Sequence, residues 1–142
     1  MTTNHNYYLD LAFRLAENNL GRTRHNPSVG TIVVKNGSVI SSGVTSLNGR
    51  PHSEFNALNN LTNCYGASLY TTLEPCTHYG KTPPCVNIIV KKKIKKVFYA
   101  FEDPEKLGYR YIYDHSDLLH LRLAQGGVRL ADALNKAYAK RG

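Results

Sequence analysis

The sequence predicts an α/β fold in which one mixed β-sheet is covered by helices on both faces. Two β-branched segments near the start are joined by Asn36-Gly37, the strongest short-range signal of a β-hairpin. After this hairpin, segments with helical periodicity alternate with short apolar segments that are typical of strands. A hairpin followed by such alternation favours a sheet packed between two layers of helices.

The first half of the chain is predicted to contain two helices and the hairpin. A helix is predicted at residues 7–20, because apolar residues recur there at steps of three and four and Gly21 follows as a stop. The hairpin strands are predicted at 31–35 and 39–43. A second helix is predicted at 53–61, since its apolar residues again share one face.

The second half continues the alternation. Strands are predicted at 67–73 and 96–101, with a helix at 84–92 between them. The remaining segments are predicted as a helix at 116–124, a strand at 128–130 and a helix at 131–140. The sheet is therefore expected to have five strands.

The chain length and its cysteine content indicate one domain in a reducing compartment. A chain of 142 residues can bury a sizeable core as one domain, so a single domain is expected at 1–142. The beginning lacks the pattern of a signal peptide, and no run reaches the eighteen or so apolar residues of a membrane span. Three cysteines, two of them in the motifs below, leave no disulfide pair. A cytoplasmic protein with no membrane partner is expected.

The net charge of +8 comes largely from five lysines within residues 91–96. A patch that binds nucleic acid is one interpretation of this run. The alternative is a solvated helix end, where lysines interact favourably with the helix dipole. No aromatic residue interrupts the lysines, which favours the second interpretation. A nucleic-acid partner is therefore not expected.

Three potential metal ligands stand in two separated motifs. His52 lies two residues before Glu54, and Cys76 and Cys85 each follow a proline. One imidazole and two thiolates leave a tetrahedral zinc ion with one open position, as at catalytic sites. The pattern matches that of zinc deaminases, in which the glutamate moves protons and does not bind the metal. The sequence thus predicts Zn²⁺ as cofactor, these three residues as ligands and Glu54 as the catalytic residue.

The spacing of the cysteines resembles that of a narrower family. Eight residues separate Cys76 from Cys85, whereas the nucleobase deaminase signature has two. The run at 72–85, TLEPCTHYGKTPPC, resembles the pattern T-L-E-P-C-[ST]-H-x-G-[RK]-T-P-P-C of the riboflavin-biosynthesis pyrimidine deaminases. Residues 51–58 and 26–30 likewise resemble their patterns P-H-A-E-x-x-A-L and N-P-x-V-G. The resemblance covers about residues 8–104.

This resemblance implies a fold, a reaction and a set of substrate contacts. The fold would be a cytidine-deaminase-like three-layer α/β/α arrangement. The reaction would be hydrolytic removal of the 2-amino group of 2,5-diamino-6-ribosylamino-4(3H)-pyrimidinone 5′-phosphate. Asn26, His78 and Lys81 would bind this phosphorylated pyrimidine. The alternatives are a turn residue before Pro27 for Asn26 and an exposed loop lysine for Lys81.

The resemblance also implies partners. Members of this fold commonly assemble, so a homo-oligomer, either a dimer or a tetramer, is expected by analogy. The family often carries a reductase domain after the deaminase, and 142 residues leave no room for it. A separate reductase in the same pathway is therefore expected.

The chain departs from the family at two places. Thr45 stands where the family tends to have a histidine, seven residues before the zinc histidine. Residues 105–113 replace the usual Asn-Pro and glycine-rich turn with three tyrosines around Arg110. Such a loop could stack on a base, but packing over the site or against another subunit is the favoured interpretation. Lys106 and Arg110 could help Lys81 to bind the phosphate.

Two other functions stay open. One is a nucleobase, nucleoside or tRNA-editing deaminase of the same fold, and the other is a zinc-stabilised scaffold without catalysis. The segment between the two cysteines favours the riboflavin enzyme over the first. Glu54 argues against the second, because a structural zinc site does not need it.

The remaining cysteine and several histidines lie outside any motif. Cys64 is predicted to be a small buried or half-buried side chain. The histidines predicted to be surface or core-edge imidazoles are His5, His115 and His120.

Overall fold

The structure is a computed structural model, and it describes residues 4–103. Its elements in chain order are α1 (His5–Asn18), β1 (Gly30–Lys35), β2 (Ser38–Val44), a 3-10 helix (Leu47–Gly49), α2 (Ser53–Leu58), β3 (Ser68–Leu73), α3 (Cys85–Lys91) and β4 (Lys96–Phe101). The predictions for 105–113, 116–124, 128–130 and 131–140 lie outside the described residues. His115 and His120 lie outside them too.

The described strands form one mixed sheet in the order β2-β1-β3-β4. Strand β1 runs antiparallel to β2 and β3, and β3 runs parallel to β4. The predicted hairpin is confirmed, since Lys35 pairs with Ser38 across Asn36 and Gly37. Both turn residues have positive φ, 51° and 76°, as a tight hairpin turn requires. Residues 4–103 supply four strands, and the predicted fifth strand falls outside this range.

Successive side chains of each strand point to opposite faces of the sheet, and both faces carry buried apolar side chains. One face packs against α1 through a cluster of Tyr8, Ala12, Ile32, Val34 and Tyr70. The opposite face packs against α2 and α3 through Val33, Ala57, Leu58, Leu69 and Ile89, with Cys64 and Ala67 beside them. The described part of the chain therefore has the predicted three-layer α/β/α arrangement.

Two glycines of the hairpin let helices approach the sheet closely. A Cβ atom added at Gly30 would collide with the backbone carbonyl oxygen of Ala12 in α1. One added at Gly43 would collide with the carbonyl oxygen of Ser53 and lie 2.6 Å from the backbone nitrogen of Ala57, both in α2. Each glycine thus sets the distance between one helix and the sheet.

The helix ends differ from the predicted ones for local reasons. Helix α1 begins two residues earlier, because the Asn4 side chain accepts a hydrogen bond from the backbone N–H of Tyr7 at 3.1 Å. Helix α2 ends at Leu58 rather than at residue 61. Asn59 and Asn60 follow it, and asparagine favours turns over helix interiors.

The lysine run lies at the end of α3 and the start of β4, so the helix-end interpretation agrees with the structure. Lys92 is half-buried, and its Nζ donates hydrogen bonds to the carbonyl oxygens of Asn59 at 3.2 Å and Leu61 at 2.7 Å. The Lys93 Nζ lies 5.9 Å from the centre of the Tyr65 ring. Two of the lysines therefore make structural contacts, which the sequence did not indicate.

The predictions for residues outside the motifs are confirmed where the structure describes them. Cys64 is buried and is a free thiol. His5 lies at the edge of the core, where its Nδ1 is 2.8 Å from the Tyr70 hydroxyl and its ring stacks on Phe98. Within residues 4–103, no helix has the length and apolar character needed to cross a membrane.

Candidate active site

The predicted ligand His52 and the predicted catalytic Glu54 lie at the start of α2. His52 is the residue before the helix and has extended backbone angles, φ −70° and ψ 161°. Ser53 and Glu54 form the first turn, and both are buried. A carboxylate in the first turn interacts favourably with the positive end of the helix dipole. The helix start therefore places an imidazole and a carboxylate at the same end of α2.

The two cysteines approach His52 from the segment between β3 and α3. Cys76 lies in the loop after β3, and Cys85 is the first residue of α3. Pro84 precedes the helix, where its missing N–H leaves no helical hydrogen bond unmade. The backbone N–H of Cys85 donates to Sγ of Cys76 at 3.3 Å. This contact holds the two thiols together.

The three predicted ligand residues form one cluster. His52 Nδ1 lies 3.7 Å from Cys76 Sγ and 3.4 Å from Cys85 Sγ. The ligand atoms all lie within 4.8 Å of one another, and no fourth histidine, cysteine or carboxylate joins them within residues 4–103. One imidazole and two thiols are a donor set that suits zinc. The cluster could hold this ion through three protein ligands.

Hydrogen bonds within the cluster favour the thiolate form of Cys76. They lower the pKa of the Cys76 thiol to about 4, because the Cys85 thiol donates to its sulfur and the His52 ring and Cys85 N–H add to this. The same bond raises the pKa of the Cys85 thiol, and burial adds to the rise. The bond to Cys76 also raises the pKa of His52. The cluster thus presents a deprotonated sulfur, which is the form that binds metal.

Glu54 lies beside this cluster in a buried position. It is 4% exposed, and burial raises the pKa of its carboxyl above the ordinary value. The hydroxyl of Ser53 donates to its Oε2 at 3.2 Å. A buried carboxyl with a raised pKa is better suited to take and return protons near neutral pH than an exposed one.

One of the three predicted substrate residues contacts the segment that leads to His52, and the other two lie in the loop between the cysteines. The Asn26 side-chain amide donates to the carbonyl oxygen of Gly49 at 2.8 Å, so its NH₂ group has a structural partner in this loop. His78 and Lys81 are exposed in the loop between the two cysteines. The structure thus brings Asn26 to the segment before His52.

The side chain of Thr45, at the position where a histidine was expected, forms a hydrogen bond with the backbone. Its side chain is 1% exposed, and its Oγ1 accepts a hydrogen bond from the Val29 N–H at 2.9 Å. The family contact expected at this position is therefore replaced by a link between β2 and the start of β1.

Arg50 is a residue of this region that the sequence reasoning missed. Its guanidinium donates to the Thr82 hydroxyl, and its Nη2 would lie 3.4 Å from a Cβ atom added at Gly80. Arg50 thus ties the loop that carries Lys81 to the residues just before His52. Its position near the zinc histidine was the only signal in the sequence, because the contact spans 32 residues.

Comparison with known proteins identifies the class of this site. Residues 2–101 match the family model of the cytidine and deoxycytidylate deaminase zinc-binding region. The match covers more than half of the chain, so the chain belongs to this zinc-binding deaminase family. The His52, Cys76 and Cys85 cluster lies within the matched residues.

More specific relatives belong to riboflavin biosynthesis. The riboflavin biosynthesis protein RibD of Bacillus amyloliquefaciens is 47% identical over 102 residues, which are 71% of this chain and 28% of that protein. A diaminohydroxyphosphoribosylaminopyrimidine deaminase/5-amino-6-(5-phosphoribosylamino)uracil reductase from Thermotoga maritima matches in structure, with a TM-score of 0.66 and 39% identity. That match covers 70% of this chain and 30% of the other. The chain thus spans about a third of the length of these relatives.

A smaller protein also has a similar structure. The guanine deaminase of Bacillus subtilis matches with a TM-score of 0.57 and 30% identity, over 78% of this chain and 75% of the other. These likenesses support the predicted cytidine-deaminase-like fold.

Proposed function

We propose that this chain catalyses the hydrolytic deamination of 2,5-diamino-6-ribosylamino-4(3H)-pyrimidinone 5′-phosphate in riboflavin biosynthesis. The observation that carries the proposal is the buried Glu54 beside the cluster of His52, Cys76 and Cys85, in a chain whose relatives include RibD proteins. The TLEPC and GKTPPC segments, which extend from the end of β3 to the start of α3, favour this substrate over other pyrimidines, because they resemble the patterns of the riboflavin deaminases.

In this proposal His52, Cys76 and Cys85 hold a zinc ion. When bound, zinc supplies a Lewis acid that makes water nucleophilic near neutral pH. Glu54 accepts one proton from the attacking water and transfers it to a ring nitrogen. It then takes the second proton from the hydroxyl group formed on ring carbon 2 and gives it to the amino group, which leaves as ammonia. The oxygen of the water ends as the carbonyl at ring carbon 2. Each transfer by a positioned group typically contributes 10²–10⁴-fold to the rate.

The substrate phosphate is assigned to the exposed loop between the cysteines. Lys81 offers a charge-assisted hydrogen bond to a phosphate oxygen, and His78 can donate to a phosphate or a sugar hydroxyl. Arg50 holds this loop through Thr82 and adds a second positive charge. Asn26 is assigned to the edge of the pyrimidine ring, through its carbonyl oxygen, because its NH₂ group already donates to Gly49.

A panel of aminopyrimidines tests this assignment through ammonia release by the zinc-loaded protein. The phosphorylated diaminopyrimidinone is expected to be the best substrate. Its dephosphorylated form is expected to react much more slowly, since binding energy from the remote phosphate helps to position the ring. Lys81→Ala should narrow the difference between the two forms. Lys96→Ala, at the far end of the sheet from Cys76, is the matched control and should leave that difference intact.

The panel also tests the two alternatives. Guanine is included because the guanine deaminase of Bacillus subtilis has a similar structure. Cytidine and a tRNA anticodon loop represent the nucleoside and tRNA-editing alternatives. Faster deamination of any of these would reject the riboflavin assignment and leave zinc deaminase chemistry in place. Ammonia release from none of the compounds would favour the zinc-stabilised scaffold.

The proposed reaction also defines the partners of the chain. A reductase activity must act on the deaminated product if the pathway continues as in the deaminase/reductase relative. We propose that this chain acts in the cytoplasm as a homo-oligomer, and that residues 1–142 form one deaminase domain. Size-exclusion chromatography with light scattering tests the assembly.

A further inference from the structure

Three hydroxyl side chains lie buried between Glu54 and the sheet. Thr31 of β1, Ser53 of α2 and Thr71 of β3 are each 0% exposed. Thr31 and Thr71 are direct partners in the antiparallel pairing of β1 and β3. Both therefore project from the same face of the sheet, the one covered by α2.

These hydroxyls occur where an apolar core would be expected. Two residues further along the same strands, on the same face, Val33 and Leu69 belong to the apolar cluster with α2 and α3. The polar group is thus confined to the end of the sheet that lies under the first turn of α2.

The oxygen atoms form a continuous series of contacts. Thr31 Oγ1 is 3.2 Å from Thr71 Oγ1 and 2.8 Å from Ser53 Oγ. Ser53 Oγ is 3.2 Å from Oε2 of Glu54. The series therefore runs from two central strands to the carboxylate.

The role of Ser53 in this series depends on where its hydroxyl donates its single proton. A hydroxyl has one proton and can rotate it between neighbouring acceptors. The Thr31 hydroxyl donates its proton to Thr71 Oγ1. Its contact with Ser53 therefore uses the Ser53 proton, which lies between Thr31 Oγ1 at 2.8 Å and Oε2 of Glu54 at 3.2 Å. Because these groups are buried, water does not compete for the bond to Glu54.

The Ser53 hydroxyl is also a point at which this chain differs from the pattern that it resembles. The riboflavin deaminase pattern P-H-A-E has alanine at the position of Ser53. The bond to Glu54 is therefore an addition of this chain to that pattern. Ser53→Ala removes this hydroxyl and adds no atoms, which makes the substitution a clean test.

We propose that Ser53 is a positioning residue, which Thr31 orients and which holds the carboxylate of Glu54 in one orientation beside His52, Cys76 and Cys85. The inference rests on the proposed function, because that function assigns the proton transfers to Glu54. A fixed orientation matters, since a displacement of about 1 Å can cost about 10²-fold in rate.

Kinetics of Ser53→Ala, Thr31→Val and the double variant test the proposal in the zinc-loaded protein. For Ser53→Ala, kcat should fall about tenfold, the equivalent of one lost hydrogen bond to a charged group. KM and zinc content should stay unchanged. Thr31→Val should lower kcat less, and the double variant should match Ser53→Ala, because Thr31 acts only through Ser53.

Ser41→Ala is the matched control. The Ser41 hydroxyl donates to the carbonyl oxygen of Ala57 in the same helix at 2.6 Å, yet it does not contact Glu54. Its kcat should equal that of the wild type. An unchanged kcat in Ser53→Ala, additive effects in the double variant, or an equal loss in Ser41→Ala would each overturn the proposal.

A crystallographic comparison tests the same point without activity. The carboxylate of Glu54 should have one orientation in the wild-type protein and more than one in Ser53→Ala. A single, identical orientation in both proteins would overturn the positioning role. Inactivity of the wild type on the whole panel would instead reject the proposed function, and the crystallographic test would still decide the role of Ser53.

Discussion

Glu54 combines two properties that are rarely found together in a side chain without a function. It is buried, and the residues next to it in space carry sulfur and imidazole groups that compete for protons. Keeping such a carboxyl costs free energy when it is ionised, because burial disfavours the charged form. A buried residue kept at this cost is a candidate for proton transfer.

Glu54→Gln separates catalysis from metal binding and folding. The variant should lose deaminase turnover, because glutamine cannot accept a proton, and it should retain zinc at the wild-type ratio. In the metal-free protein its midpoint of thermal unfolding at pH 7 should be no lower than that of the wild type, since an amide avoids the cost of ionising a buried carboxyl. Turnover, metal analysis and thermal unfolding measure these three outcomes. Loss of zinc would show that Glu54 is a ligand and would contradict the mechanism.

The sequence could identify the cluster residues but not the residues that support them. His52 and Glu54 stand in a His-x-Glu motif, and Cys76 and Cys85 each follow a proline, as in the zinc deaminase pattern. The contacts of Arg50 with Thr82, and those of Thr31 and Thr71 with Ser53, join residues far apart in the chain. No local pattern encodes such contacts, so they became visible only in the folded chain.

At the scale of elements, the position of α2 on the sheet controls the site, because this helix carries His52 and Glu54. Gly43 allows the close approach of α2, while Gly30 allows that of α1 on the other face. The two glycines lie on the same hairpin and face opposite layers. They therefore offer a matched pair of substitutions.

Gly43→Ala should displace α2, since its new methyl group meets backbone atoms that cannot rotate away. We expect a loss of about 1–3 kcal/mol in unfolding free energy and weaker zinc binding by the folded protein. Gly30→Ala should cost similar stability, because it meets the backbone of α1, but should leave zinc affinity close to that of the wild type. Chemical denaturation and zinc titration provide the two measurements. Equal zinc affinity in both variants would contradict the assigned role of α2.

At the scale of the molecule, periodicity predicted the order and type of the described helices and strands. Apolar residues recur at steps of two in strands and at steps of three to four in helices. These steps arise because the side chains face an apolar cluster on one side of the sheet or the other. The ends of α1 and α2 were shifted, since they depend on Asn4 and on the asparagines after Leu58. The 3-10 helix at Leu47–Gly49 was missed, because three residues are too few to show a period.

The contact of Lys92 with the end of α2 has a consequence for metal uptake. Helix α2 begins directly after His52 and α3 begins with Cys85, and Lys92 joins the segments that follow their last turns. The helix pair is thus fastened at the end opposite the ligands, so the ligands are preorganised before metal arrives.

Hydrogen exchange at the amides of residues 53–57 should change little on zinc loading of the wild type. In metal-free Lys92→Met these amides should exchange faster, whereas the exposed Lys91→Met should behave as the wild type. Zinc would then bind to a site that is already folded.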